Sequence, residues 1–252
     1  MKKIIATIAI FLGTCGISAA ERLNVTVGLS GTLGLLDATA KETVTGTSIY
    51  KRNDQNPDGG AGNALVTNKT SKTSTKAYTD MPIGYGAVFA EFASSLLPGL
   101  KVGVEYVPYD LDSETTENTR TAKIGDDGIL IADAGINKVN LTLEAYTTGY
   151  LAYHHDAGPA RIFVRAGIVN AQVITNESLS TGSVYGNTSL DGTMFGLGFE
   201  KDIDNGLFVR GEVNQTDFDN LKLTGTGSDN VNTIDLSGLS GRSALVSVGK
   251  NF

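Results

Sequence analysis

Nine charged side chains are the residues of this sequence whose spacing could support chemistry. Each stands at an alternate position in a segment where apolar and polar residues alternate, which is the period of a β-strand. They are Glu91, Lys101, Glu105, Glu144, Arg161, Arg165, Glu200, Arg210 and Glu212. If a sheet of such strands encloses these charges, they must pair with one another, because an isolated buried charge is costly. Five glutamates against four cations allow this pairing. The pattern predicts a salt-bridge network, either structural or, as the alternative, lining an ion path.

The adjacent histidines offer a second candidate. His154 and His155 precede Asp156 between two predicted strands. A histidine-based hydrolase would need a serine and an orienting carboxylate that converge on the imidazole, and two neighbouring turn residues do not provide that. We therefore expect a solvated turn. With no Walker, GxSxG or zinc spacing either, we predict no catalytic, cofactor-binding or metal residue, and no enzyme.

An acidic segment at 110–137 is the third candidate. Clustered carboxylates can bind Ca²⁺ or Mg²⁺ through oxygen ligands. The run Asp110-Leu111-Asp112-Ser113-Glu114 resembles the start of a calcium loop, but the required Gly and terminal Glu are not at the right offsets. We expect a solvated acidic loop.

Charge and the first residues indicate the cellular compartment. With 20 Lys+Arg against 27 Asp+Glu, the net charge is −7, which argues against nucleic-acid binding. Lys2 and Lys3 precede an apolar run at 4–17 and then Ser18-Ala19-Ala20. This is the pattern of a secretory signal peptide. We predict a signal peptide at 1–20 and one domain at 21–252. Cys15 raises a lipoprotein alternative, for which the preceding Thr14 is a poor fit.

We expect β-strands to hold these charges in place. Period-two alternation occurs in eight segments, at 23–35, 83–92, 100–109, 138–153, 160–174, 193–202, from 207 onward, and 243–252. Short turns at 97–99, 154–159 and 204–206 alternate with long loops at 37–81, 110–137, 175–192 and 217–241. Asn205-Gly206 is a strong hairpin signal, because both residues tolerate positive φ. This order predicts an all-β, eight-stranded antiparallel up-and-down transmembrane β-barrel.

Alternation alone also fits a soluble, lipocalin-like barrel that binds an apolar ligand. Three features favour the membrane. The polar faces are rich in Gly, Ser, Thr and Asn, which suit a narrow, filled lumen. The loop lengths alternate strictly, and a secretory signal precedes the barrel.

The segment 243–252 adds a family resemblance. It alternates small or polar with apolar residues and finishes on Phe252. With the strand–turn–strand run at 201–210, it resembles the small OmpA/OmpX-type bacterial outer-membrane β-barrels, although Lys250 stands where an aromatic or large apolar residue is common. The resemblance implies that Val246, Val248 and Phe252 form a C-terminal assembly signal, and that no periplasmic domain follows.

The same resemblance implies location and partners. We expect the protein in the cell outer membrane after export. Its expected partners are outer-membrane lipid, lipopolysaccharide, the barrel-assembly machinery and an external surface ligand, with no cofactor. The expected role is structural or surface-interacting, through long extracellular loops. A small porin-like pore and a soluble periplasmic barrel are the alternatives.

Overall fold

A computed structural model describes residues 24–53, 63–93, 96–120, 123–124, 130–132, 135–178, 184–226 and 231–252. The predicted signal peptide lies outside these residues. Within them the chain forms fourteen strands: β1 (Asn24–Asn53), β2 (Asn63–Ala93), β3 (Leu100–Tyr106), β4 (Leu111–Asp112), β5 (Thr116–Arg120), β6 (Lys123–Ile124), β7 (Leu130–Ala132), β8 (Gly135–Asp156), β9 (Arg161–Ser178), β10 (Val184–Tyr185), β11 (Thr188–Asp202), β12 (Leu207–Phe218), β13 (Leu221–Thr226) and β14 (Val231–Asn251). Among the described residues we find no helical segment that could span a bilayer.

Eight of these strands form a closed ring. The order is β1-β2-β3-β8-β9-β11-β12-β14, and β14 returns to pair with β1. Every neighbouring pair in the ring is antiparallel. The predicted eight-stranded antiparallel barrel is therefore confirmed.

On most strands of the ring the two faces differ in the sense predicted. On β1, Leu29 and Leu33 point outward and are 59% and 75% exposed, whereas Ser30 and Thr32 are buried in the lumen. Outward apolar residues recur around the ring, for example Ile168 on β9. The barrel thus has an apolar exterior and a polar interior, because side chains alternate along each strand.

The short turns lie together at one end of the barrel, here called the short-turn end. Asn205 and Gly206 both have positive φ, at 59° and 78°, and Leu207 N–H donates to the Asp204 carbonyl at 3.2 Å. Gly99, with φ 84°, makes the 97–99 turn. Both predicted turns are confirmed, and the third is tighter than expected, because β8 continues to Asp156.

The opposite end, here called the hairpin end, differs from the prediction. The segment at 37–81 is largely strand, since β1 runs to Asn53 and β2 begins at Asn63. The two strands stay paired out to Asn53 and Asn63, forming a hairpin that extends beyond the barrel. Residues 54–62 at its tip are outside the described part of the chain. Alternation missed this extension because residues 71–76 of β2 are all polar, so no apolar face marks that strand.

Irregularities in the ladders explain a second difference. The β8–β9 register shifts between Glu144 and Thr147, where Ala145 has a positive φ of 55°. Before this bulge Leu143 faces the core, and after it Tyr146 does. A bulge adds one residue to one strand and so exchanges its faces. The single uninterrupted face assigned to 138–153 was therefore wrong.

The inner face of β2 combines apolar residues with Glu91. Ala87, Phe89 and Glu91 are all buried on the lumen side, and Val88 points outward. The apolar residues that alternate along 83–92 therefore face inward, where Phe89 fills the space over a glycine of the neighbouring strand.

An apolar cluster fills the interior at the hairpin end. Val173, Leu190, Leu221 and Leu223 are buried there. Side chains from β8 and β14 pack against them: Leu141, Leu143, Ile234 and Leu236. The interior therefore changes from charged to apolar towards the hairpin end.

Candidate functional site

Arg210 on β12 is the centre of the lumen charges. Its guanidinium donates to Glu91 through both Nη atoms, at 2.7 and 3.0 Å. It also donates to Glu200 Oε2 from Nε at 3.1 Å and from Nη2 at 2.6 Å. Both glutamates are fully buried and Arg210 is 3% exposed. One planar guanidinium thus bridges two carboxylates from β2 and β11, the bidentate geometry that makes such pairs strong.

Two further cations neutralise this group. Lys101 Nζ lies 3.0 Å from Glu91 and 4.0 Å from Glu200. Arg161 Nη2 donates to Glu200 Oε1 at 2.6 Å and also to Asp202, which the sequence did not single out. Three cations therefore face three carboxylates among the described residues, and the group is neutral in sum.

A second ion cluster lies further along the lumen. Arg165 Nη1 donates to Glu105 at 3.2 Å, and Arg165 Nε lies 2.7 Å from Glu212. Tyr150 links the two clusters, because its hydroxyl donates to Glu91 at 3.0 Å and its ring lies 4.5 Å from the Arg165 guanidinium carbon. The geometry is that of a continuous network across the barrel, in which Arg165 faces two carboxylates.

Aromatic rings surround Arg210 and rest on glycines. Its guanidinium carbon is 5.2 Å from the Phe89 ring, 4.9 Å from Phe163 and 5.3 Å from Phe208, within range for cation–π attraction. Each ring covers the glycine opposite it on the next strand; the pairs are Phe89 with Gly28, Phe163 with Gly198, and Phe208 with Gly249. Rings of this size fit a narrow lumen only where the opposing residue has no side chain.

Replacing Gly198 by valine tests this packing. A Cβ there would lie 2.4 Å from Phe163 Cζ and 2.5 Å from the Gly211 carbonyl oxygen. We expect a loss of about 1–3 kcal/mol in the free energy of unfolding, the usual cost of overpacking. Urea unfolding in micelles measures it. Gly31→Val is the matched control, because nothing lies within 4 Å of its Cβ position. Equal stability of the two variants would contradict the packing argument.

His154 is the lumen residue that sequence reasoning missed. It is buried rather than solvated, stacks on Phe163 with ring centroids 4.9 Å apart, and places Nδ1 4.0 Å from Glu200. His155 is exposed, as expected. The alternation of β8 could have identified it. His154 occupies the same alternate positions as Tyr150 and Ala152, whose side chains point inward.

Of the nine predicted charges, the structure places eight in the lumen: Glu91, Lys101, Glu105, Arg161, Arg165, Glu200, Arg210 and Glu212. Glu144 is the exception and a correction. It lies opposite the exposed Gln172, on the outer face, because it precedes the bulge at Ala145. Val246, Val248 and Phe252 all point outward, at 68%, 53% and 69% exposure. In the described residues, no three His, Cys, Asp or Glu side chains converge as a metal site would require.

Comparisons with known proteins find similarity of fold alone. No family model and no curated protein sequence matches the chain. Among solved structures it is similar to Ail, the attachment invasion locus protein of Yersinia pestis, solved with the heparin analogue sucrose octasulfate (8% identity, 88% of this chain, 99% of that chain, TM-score 0.36). It is also similar to Neisserial surface protein A (10%, 86% and 97%, TM-score 0.36). The toluene transporter TbuX of Ralstonia pickettii is a further neighbour (10%, 89% and 90%, TM-score 0.28). What this barrel does must be argued from its own residues.

Proposed function

We propose that this protein is an integral barrel of a bacterial outer membrane, with a closed lumen and a structural or surface-contact role at its hairpin end. One observation carries the proposal: charges are buried inside and large apolar side chains are exposed outside. Leu33, Ile168 and Val246 are 75%, 70% and 68% exposed, whereas Glu91 and Glu200 are fully buried. A barrel in water gains by the opposite arrangement, because burial of apolar surface drives its folding.

This inversion also argues against the soluble alternative. A lipocalin-like barrel would need an apolar cavity for its ligand. Here the lumen holds Arg210 between two glutamates, and aromatic rings occupy the remaining space. Such an interior leaves no room for an apolar ligand at this level, and the exposed belt would promote aggregation in water.

The packed lumen disfavours the pore alternative. Eight strands enclose an interior just wide enough for side chains to fill. The Arg210 network spans it between β2, β11 and β12, and the apolar cluster around Leu221 and Leu223 occupies the hairpin end. Ions crossing this path would have to displace both.

We therefore expect no steady ohmic conductance from the wild-type protein in planar bilayers. Single-channel recording after verified insertion measures this. Arg165→Gln provides the comparison, because a working ion path past Arg165 would change conductance when that charge is removed. Stable conductance steps in the wild type that change in Arg165→Gln would favour the pore instead.

The surface-contact role is supported by the hairpin. Among the described residues, β2 pairs with β3 only from Val88 onward, so its edge at 71–79 has no strand beside it. Apart from Ala77, its exposed residues there are polar. Near the barrel rim the edge is blunted, because Pro82 lacks an N–H and Tyr109 Oη accepts the Gly86 N–H at 2.5 Å. Further out, unpaired backbone groups are available to an external partner, a known mode of strand addition.

Cell fractionation with gel mobility tests the membrane proposal. We expect the protein in the outer-membrane fraction, with an SDS-resistant band that shifts on boiling. Recovery in the soluble periplasmic fraction with no shift on boiling would overturn the proposal and favour the soluble barrel.

A further inference from the structure

Beyond the barrel rim, strand register places four threonines in one row. Thr73 on β2 pairs with Thr43 on β1, Thr43 pairs with Thr233 on β14, and Thr233 pairs with Thr224 on β13. Residues directly opposite each other in antiparallel strands share a face. Thr43 and Thr73 place their hydroxyl oxygens 3.5 Å apart. The sheet thus presents a line of hydroxyls with the strand spacing of about 4.8 Å.

The adjacent row carries charge. By the same pairings it runs Thr75, Lys41, Asp235 and Lys222. Lys222 Nζ lies 3.6 Å from Asp235, and in the described part of the chain no carboxylate lies within salt-bridge distance of Lys41. We call these eight residues the threonine face. It carries a net positive charge, two lysines against one aspartate, on a protein whose net charge is −7.

The threonine face looks outward. On the opposite side of the same strands, Ile234 and Leu236 pack on the interior cluster, with Leu221 and Leu223 buried beside them. The alternate positions Asp235 and Lys222 must therefore face away from it. Thr73, Thr75, Lys41, Lys222 and Thr224 are all exposed.

The face continues the apolar exterior of the barrel. On β1 it follows Leu33 and Leu35 on the same side of the strand, and Asp37 marks the change from apolar to polar residues. There Arg242 bridges Asp37 and Asp80, at 3.2 and 3.0 Å. Lys41 comes four residues after Asp37, about 13 Å along the strand. When lipid covers the apolar exterior of the barrel, the lipid headgroups lie near Asp37. Groups that are attached to those headgroups then lie against the threonine face.

We propose that the threonine face binds the phosphorylated oligosaccharide of the surrounding outer-leaflet glycolipid. This rests on the proposed membrane location. The hydroxyl row donates to and accepts from sugar hydroxyls, and Lys41 and Lys222 pair with phosphate. The flat, pre-ordered sheet suits an extended glycan because its strands need not reorganise on binding.

Purified rough-type lipopolysaccharide with a phosphorylated inner core is the probe. Its affinity for the refolded full chain in neutral micelles is compared with that of the same glycolipid after dephosphorylation and of lipid A alone. We expect the intact glycolipid to bind at least about ten-fold more tightly than lipid A, with dephosphorylation removing part of the gain; a tenfold ratio is about 1.4 kcal/mol.

Two double variants test the lysines and the threonines separately. Lys41→Gln with Lys222→Gln should remove the preference for the phosphorylated glycolipid. Thr43→Val with Thr73→Val should weaken binding of both the intact and the dephosphorylated glycolipid. Valine keeps the shape and strand propensity of threonine, so the sheet is retained. Lys72→Gln with Lys76→Gln is the matched control. These lysines lie on the other face of the same hairpin, where they pair with Val44 and Ala40.

The outcomes separate this inference from the proposed function. Variants that shift on boiling like the wild type, yet bind the intact glycolipid with unchanged affinity, would overturn the threonine face and leave the membrane barrel standing. An equal loss in the Lys72 and Lys76 control would also overturn it, because charge alone would then explain binding. A wild-type chain that fails to insert into membranes would overturn both.

Discussion

Replacing Arg210 by methionine is expected to lower the free energy of unfolding by about 3–5 kcal/mol, the cost of breaking a buried ion pair by removing one partner. Arg210 donates to Glu91 and Glu200, and both carboxylates are fully buried. Lys101 and Arg161 cannot replace the paired hydrogen bonds that Arg210 donates to each of the two glutamates. Urea unfolding of the protein in lipid vesicles, followed by loss of the heat-sensitive gel band, measures the change.

A compensating variant distinguishes lost charge pairing from lost packing. Arg210→Met combined with Glu91→Gln removes one cation and one carboxylate, so that Lys101 and Arg161 still face Glu200 and Asp202, and we expect it to recover most of the lost stability. Arg242→Met is the single-site control, since the Arg242 side chain is 59% exposed and pairs at the rim; exposed pairs contribute about 0.2–1 kcal/mol. A loss at Arg242 as large as the loss at Arg210 would contradict a lumen network that stabilises the barrel.

The second large effect concerns the apolar exterior. Replacing Leu29 by arginine is expected to cost about 2–4 kcal/mol of folding into a bilayer, the penalty for a cation on the lipid face near the midplane. Leu29 is 59% exposed and lies between Val27 and Leu33 on the same outward face of β1. Titrating urea against the folded fraction in vesicles measures this cost.

Ser74→Arg is the control for Leu29→Arg. Ser74 is exposed on β2, beyond the rim, where water can solvate the guanidinium. We expect this variant to fold into vesicles like the wild type. If Leu29→Arg were equally harmless, the exterior of the barrel would not contact lipid, and the soluble alternative would gain support.

Much of the fold could be predicted because the relevant signals are local. Alternation decides which side chains share a face, so Arg161, Arg165, Arg210 and Glu212 were assigned correctly to the interior. Asn205-Gly206 specified its turn, because both residues adopt the left-handed conformation that a tight hairpin needs. Each of these signals requires only a few consecutive residues.

The errors come from residues whose behaviour depends on distant strands. Ala145 carries no mark of a bulge, yet it moves Glu144 to the outer face. Asp80 and Gly238, also with positive φ, accompany the register shifts on either side of β1 near Asp37. The extended hairpin escaped notice because residues 71–76 of β2 are polar on both faces, so no apolar face marks that strand.

A barrel with charges inside and apolar residues outside could be predicted from the sequence, because period-two alternation is local. Which charges meet depends on how the strands are paired. Arg210 and Glu91 are 119 residues apart, and Phe208 covers Gly249 only through the β12–β14 register. The four-threonine row likewise exists only because β13, β14, β1 and β2 lie side by side. The registers between strands set these contacts. The registers depend on the bulges and on closure of the ring, and neither the bulges nor the closure can be predicted from single segments.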